Sequence, residues 1–229
     1  WENFKYLLFR FEVAGNLAAL VNDLSNTPIT AEGYYTLFGI HFAQYVRAEI
    51  DYRQFYAWRN RQGFIYRAIL GMGIPYGNSA ALPFEKGFYG GGANGMRGWA
   101  YRTLGPGGFT ESTLNEFDKM GDIKLEASVE YRFPIVWYLN GALFLDAGNV
   151  WLLHENELFP EGHFNLSTFA NQLAVDGGLG FRFDFEFFIV RLDAAIKVRD
   201  PAKPAGSRIV IDQTRFSDIF WNFGIGYPF

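Results

Sequence analysis

The sequence contains no cysteine, so neither a disulfide framework nor a thiolate metal site is available to it. Histidine is scarce too. His41, His154 and His163 are the three in 229 residues, and no Ser-His-carboxylate or metal-ligand spacing stands out among them. No enzyme, no metal and no cofactor are expected, and the charge-rich segments described below read more simply as structural ion pairs. No run approaches the ~18 uninterrupted apolar residues of a membrane helix. The formal net charge of −4 gives no basic footprint for nucleic acid. The chain opens at Trp1 without Met or a signal-peptide pattern, and it reads as a mature or trimmed fragment of something longer.

Aromatic residues, in contrast, are abundant. With 25 Phe, 13 Tyr and 6 Trp they make up 19% of the chain, while the mean hydropathy is only −0.03. High aromatic content at average hydropathy, without a helix span, fits a transmembrane β-barrel whose strands alternate lipid-facing and lumen-facing residues. It fits a large soluble β-sandwich or lipocalin-like barrel equally well.

The hydropathy pattern separates the two. Eight segments alternate with period two between turn signals: 6–13, 41–56, 64–74, 122–133, 139–151, 173–183, 188–199 and 219–229. Within each, one face is apolar and mostly ends in aromatics. On 122–133, for example, Ile123, Leu125, Ala127, Val129, Tyr131 and Phe133 oppose Lys124, Glu126, Ser128, Glu130 and Arg132. The second faces carry charges of both signs, strand after strand. An outward apolar band with aromatic girdles around a polar interior produces this pattern. The expected fold is all-β, an antiparallel transmembrane barrel with eight strands present.

The connections alternate in length. Those at 58–63, 134–138 and 184–187 are short, and those at 15–35, 75–121, 152–171 and 200–217 are long. Short turns on one rim and long loops on the other are the outer-membrane convention, which places both chain ends in the periplasm. In the first long loop, Leu17, Leu20, Val21 and Leu24 have helical spacing and predict a short helix over 16–24.

The loop at 75–121 is the longest, roughly 40 residues where a hairpin connection needs about 2–5. It carries FYGGGANGMRGW at 88–99, with Arg97 among Gly87, Gly90, Gly91, Gly92, Gly95 and Gly98. The pattern is not a phosphate-binding loop, because no Gly-Lys-Ser/Thr opens a helix after a strand.

GGGANGMRGW followed by LGPG at 104–107 resembles the sixth extracellular loop of the BamA/TamA family of outer-membrane assembly barrels (the bacterial surface antigen family). The family's hallmark is an aliphatic-Arg-Gly-aromatic tetrapeptide, here Met96, Arg97, Gly98 and Trp99. ASVEYRFP at 127–134 and FLDAGNVW at 144–151 match in order and spacing. The resemblance covers essentially the whole chain. The stretch 73–99 and the ending WNFGIGYPF look most similar to the TamA-like lipoprotein (TamL) branch of the Bacteroidota. The family's full barrel has sixteen strands after a string of periplasmic POTRA domains. The resemblance therefore implies that 1–229 is the C-terminal half of such a barrel, with an inward-folding loop at about 75–121 and no POTRA domain. It implies a protein that inserts or translocates other proteins at the bacterial outer membrane without covalent chemistry. The partners implied are outer-membrane lipids, unfolded outer-membrane protein clients, and a TamB-like periplasmic protein or assembly lipoproteins. A passive pore or two-partner-secretion-type channel is the alternative, because those channels share the loop motif.

The chemistry of the motif is coherent with this. A long loop folding into a polar lumen needs an anchor, and the guanidinium of Arg97 is a rigid fork that can pair bidentately with a carboxylate. Glu130 and Asp146 face the lumen on adjacent predicted strands, so one guanidinium could bridge both, and the family's loop–barrel contact falls on these three positions. Glu126 is the less favoured partner on the same face. Gly98 would let the backbone pass close to the wall. The terminal strand, with Phe223, Gly224, Gly226, Tyr227 and Phe229, resembles the signal by which outer-membrane barrels are recognised for assembly, and by family analogy it is half of a weakly paired seam.

Overall fold

The computed structural model describes residues 2–25, 28–110, 119–185 and 187–228. Eight strands form one antiparallel sheet in chain order: β1 (Phe4–Ala14), β2 (Tyr45–Trp58), β3 (Gln62–Pro75), β4 (Ile123–Val136), β5 (Leu139–Trp151), β6 (Ala174–Asp184), β7 (Ile189–Arg199) and β8 (Phe220–Ile225). Each strand pairs with its sequence neighbours, the usual arrangement of consecutive antiparallel strands. The sheet is not closed: among the described residues, β1 pairs only with β2 and β8 only with β7. The connections β2–β3, β4–β5 and β6–β7 are short and share a rim with both chain ends. At the first of them, Asn60 and Arg61 take φ of 59° and 58°, the left-handed conformation that tight hairpin turns require. Pro134 sits in an interior strand, but beside a register shift against β5, where a missing N–H is tolerated.

Which face is covered decides the solvent. In a water-soluble sheet the apolar face is buried. Here Trp221, Phe223 and Ile225 of β8 are exposed while Asn222 between them is buried. On β6, Leu179, Phe181 and Phe183 are exposed, while Asp176 and Arg182 are fully buried. The concave side is therefore polar and the convex side apolar, the inversion expected of a barrel wall in lipid. Toward the short-turn rim the convex side carries aromatic contacts: Phe64 against Tyr131 at 4.8 Å, Tyr56 against Tyr66 at 6.0 Å and Tyr131 against Phe133 at 5.5 Å. These form the girdle that the sequence pattern led one to expect.

Three local expectations need correction. The second strand begins at Tyr45 and not at His41. His41 instead pairs with Thr36 in a two-rung hairpin, because Phe38 and Gly39 turn the chain back at φ of 52° and 76°. The last strand ends at Ile225. Gly226, at φ +89°, bends the chain out of the extended conformation, and its N–H still donates to Ile189 O at 2.7 Å. Tyr227 thus lies beyond β8, and Phe229 lies outside the described residues. The helix α1 spans Asn16–Ser25, one residue longer than its spacing predicts.

Candidate functional site

The loop between β3 and β4 folds back into the concave side of the sheet. Its two ends are zipped by the pairing of Phe88–Tyr89 with Met120–Gly121 and by a bridge between Gly90 and Leu104. The wall makes room for it. A Cβ on Gly71 or Gly73 of β3 would run into the Phe88 ring or the Leu82 side chain. Met96, Trp99 and Leu104 form a small apolar cluster with Ala174 of β6, which seats the tetrapeptide by burial. Within that seat the one charged member, Arg97, must find partners, because a buried unpaired guanidinium is too costly to leave.

It finds two. Arg97 Nε and Nη2 donate to the two oxygens of Asp146 at 2.7 and 2.9 Å, and Nη1 donates to Glu130 Oε2 at 2.6 Å. All three residues are 0% exposed. The planar fork makes two parallel bonds to one carboxylate and a third bond to another. The guanidinium also lies over the Phe144 ring, 3.5 Å from its centroid. Phe144 sits opposite Glu130 in the β4–β5 register, so the same rung that supplies the acid supplies the aromatic floor. Glu126 pairs elsewhere, 2.9 Å from the Lys124 ammonium.

The cluster extends beyond the three residues. Glu130 also accepts from Arg132 Nε at 2.6 Å and from Arg182 Nη2 at 3.1 Å, and Arg182 bonds Asp193 of β7. Arg67 donates to Asn94 O at 2.6 Å, Arg191 bonds the Asn94 side chain, and Lys124 donates to Tyr89 O at 2.9 Å. Gly98 runs so close to β6 that an added Cβ would lie 2.7 Å from Asp176 Cβ. On β8, Asn222 donates from Nδ2 to the backbone oxygen of Arg97 at 2.9 Å. The loop tip is thus tied to every strand from β3 to β8.

A model of the Omp85 superfamily domain matches residues 4–229. The chain belongs to the Omp85 superfamily. It is 30% identical over 127 residues to the outer membrane protein assembly factor BamA of Neisseria meningitidis serogroup B (strain ATCC BAA-335 / MC58), a match covering 48% of this chain and 16% of that protein. Its fold is similar to the crystal structure of BamA from Haemophilus ducreyi lacking POTRA domains 1–3, with a TM-score of 0.52 and 13% identity, over 97% of this chain and 50% of that one. The chain thus spans about a sixth of the curated relative and half of the solved one by these shares. As a member of this superfamily, it is a β-barrel protein of the bacterial outer membrane.

Of the residues singled out in the sequence, the structure brings Met96, Arg97, Gly98, Trp99, Glu130 and Asp146 of this Omp85 domain together. Gly224 stands at the wall, where a Cβ would meet Arg191 Nε at 2.5 Å. Tyr227 reaches the polar side by another route, its ring 3.9 Å from Arg132 Cζ. Phe223 points away from the site and is exposed. Sequence reasoning did not assign roles to Arg132, Arg182, Asn94 or Asn222. Strand parity does put Arg132, Arg182 and Asn222 on the lumen side, but parity alone does not give height along the barrel. Replacing Asn222 with alanine is expected to remove a buried hydrogen bond to the Arg97 carbonyl, at a cost of about 1–3 kcal/mol. A denaturant-midpoint comparison in detergent would check this. A change within measurement error would mean that water or another donor replaces the amide.

Proposed function

We propose that this chain is the C-terminal half of a sixteen-stranded outer-membrane barrel that inserts or translocates other proteins at the outer membrane, with no covalent step. The observation that carries the reading is the loop tip bound into the concave wall by Arg97, Glu130 and Asp146, next to a final strand that is weakly held. β8 pairs with β7 over six positions, from Val190–Ile225 to Ala195–Phe220, where β2 and β3 pair over fourteen. In this reading its other edge forms the seam with the first strand of the parent barrel, and lateral opening of that seam frees it. An edge of that kind is a template for an incoming strand. In this mechanism the anchored loop keeps β4–β7 rigid while β8 moves by giving up the Asn222 bond to the Arg97 carbonyl, and the client strand is aligned by main-chain hydrogen bonds. The clients are unfolded outer-membrane barrel polypeptides. The working partner is a TamB-like periplasmic protein or assembly lipoproteins, in line with the likeness of 73–99 to TamL proteins of the Bacteroidota.

The test is depletion of the full-length parent of this chain in its own cells, followed by quantification of folded, heat-modifiable barrels in the outer membrane. A several-fold fall, restored by the wild-type copy, is expected. Unchanged barrel levels together with altered permeability to small solutes would replace this reading with a passive pore or two-partner-secretion-type channel.

A further inference from the structure

The connection between β1 and β2 carries the helix α1, which turns its apolar side away from the protein. Leu17, Leu20, Val21 and Leu24 follow the i, i+3, i+4, i+7 spacing of one helix face, and they are 76%, 53%, 42% and 77% exposed. The opposite face is the one seated on the chain. Asn22 is buried, and Ala18 and Ala19 are half-buried. Asn16 accepts from the Tyr76 hydroxyl at 2.6 Å and from the Gln44 amide at 3.4 Å. A helix packed on a protein in water does the reverse, burying its aliphatic stripe and exposing its amides.

We propose that α1 is an interfacial helix, lying in the outer leaflet with Leu17, Leu20, Val21 and Leu24 among the lipid acyl chains. Continuity with the lipid-facing wall favours this occupant. The outward row of β1, Leu7, Phe9, Phe11 and Val13, is exposed throughout and belongs to the apolar convex side. That row ends four residues before Leu17, and Gly15, at φ +82°, makes the bend between them. The connection is on the long-loop rim, so the helix begins where the strand leaves the hydrocarbon. The lumen side at this height is charged: Glu12 pairs with Lys86 at 2.5 Å, and Arg47 with Glu49 at 2.7 Å. An aliphatic stripe turned inward would displace the hydration of those groups without offering them a partner. Phe38 and Ile40, at 95% and 72% exposure, extend the apolar surface of the same connection. The helix contains Asp23 and no lysine or arginine. Its attraction to the leaflet therefore comes from apolar burial and not from charged headgroups.

The experiment uses the full-length parent in phosphatidylcholine vesicles, carrying a fluorophore on a single introduced cysteine. Leu24→Cys and Leu20→Cys are compared with Phe11→Cys on the lipid-facing strand and Asp23→Cys on the polar side of the helix. Two quenchers are applied, lipids brominated on the acyl chain and aqueous iodide. The expected result is that brominated lipid quenches the labels at Leu20 and Leu24 about as strongly as the label at Phe11. Both are also expected to be several-fold less open to iodide than Asp23→Cys, equally at low and high salt. Iodide reaching Leu24→Cys as readily as Asp23→Cys would put the helix in water and overturn the proposal. Protection from both quenchers would mean that protein covers the stripe, which overturns it too. An unlabelled double variant, Leu17→Gln with Leu24→Gln, gives a second reading. Its helix amides are expected to exchange hydrogen several-fold faster than wild type in vesicles, while heat-modifiability shows the barrel still folded. Unchanged exchange in that folded variant would count against lipid as the occupant.

Discussion

Arg97→Ala is expected to destabilise the domain by about 3–5 kcal/mol, the range for removing one partner from a buried ion pair. The reason lies in what is left behind. Asp146 receives two of its hydrogen bonds from Arg97 and faces Asp176, another fully buried carboxyl, in the β5–β6 register. Without the guanidinium it keeps another buried carboxyl across from it and has no ion-pair partner among the described residues. Glu130 fares better, because Arg132 and Arg182 remain at 2.6 and 3.1 Å. The loop loses its central polar tether at the same time and keeps the apolar seat of Met96, Trp99 and Leu104 together with the bonds that Arg67, Arg191, Lys124 and Asn222 make to Asn94, Tyr89 and the residue-97 carbonyl. Arg97→Lys should recover little, since one ammonium cannot span both Asp146 oxygens and Glu130 at once. The measurement is the denaturant midpoint of the full-length parent in detergent, paired with limited proteolysis of the 76–122 segment. Cleavage there should rise in both variants before the barrel unfolds. A loss of less than about 0.5 kcal/mol, the scale of an ordinary surface substitution, would show that the anchor holds nothing. The double variant Arg97→Ala with Asp146→Asn should cost less than the sum of the two single changes, because the residues share one interaction.

Much of this was visible in the chain itself, for a physical reason. A lipid-facing wall must be apolar at every second residue and polar at the others, so period-two alternation and face assignment survive without any tertiary information. The contact of Arg97 with Glu130 and Asp146 was legible through the resemblance of 96–99, 127–134 and 144–151 to the family's motifs; two lumen-facing acids on neighbouring strands make the pairing chemically coherent but do not by themselves single out Arg97. The bond from Asn222 to the Arg97 carbonyl was not. It joins a side chain to a backbone atom 125 residues away, and nothing in the identity of either residue marks it. Arg182 was assigned to the correct face but given no partner. Its height depends on register, which sets it opposite Asn140 on one side and Arg191 on the other. The end of β8 was misplaced because the alternation of aromatics continues through Tyr227 while the backbone turns at Gly226. Hydropathy records which face a side chain prefers, and it is blind to a positive φ that a glycine permits.

Glu130→Gln should destabilise the domain more than Asp146→Asn, although both remove one buried charge and keep the shape. Glu130 accepts from three guanidiniums, those of Arg97, Arg132 and Arg182, at 2.6, 2.6 and 3.1 Å. An amide in its place offers one acceptor oxygen and turns an NH2 donor toward other donors, so at least one guanidinium loses its partner. Three cations then crowd a site whose remaining nearby acids are already engaged with Arg97 and Arg182. The expected cost is again about 3–5 kcal/mol. Asp146→Asn is different. It weakens the bidentate contact with Arg97, but it also removes one of two carboxyls that face each other across β5 and β6. The two effects have opposite sign, and the net loss should fall below that of Glu130→Gln, at about 1–3 kcal/mol. The order can be read from midpoints of the two variants under one set of conditions, with heat-modifiability confirming that each is folded at the start. If Asp146→Asn proves the more damaging, the Asp146–Asp176 apposition carries no penalty. The centre of the cluster would then be the Arg97–Asp146 fork, with Glu130, Arg132 and Arg182 peripheral to it.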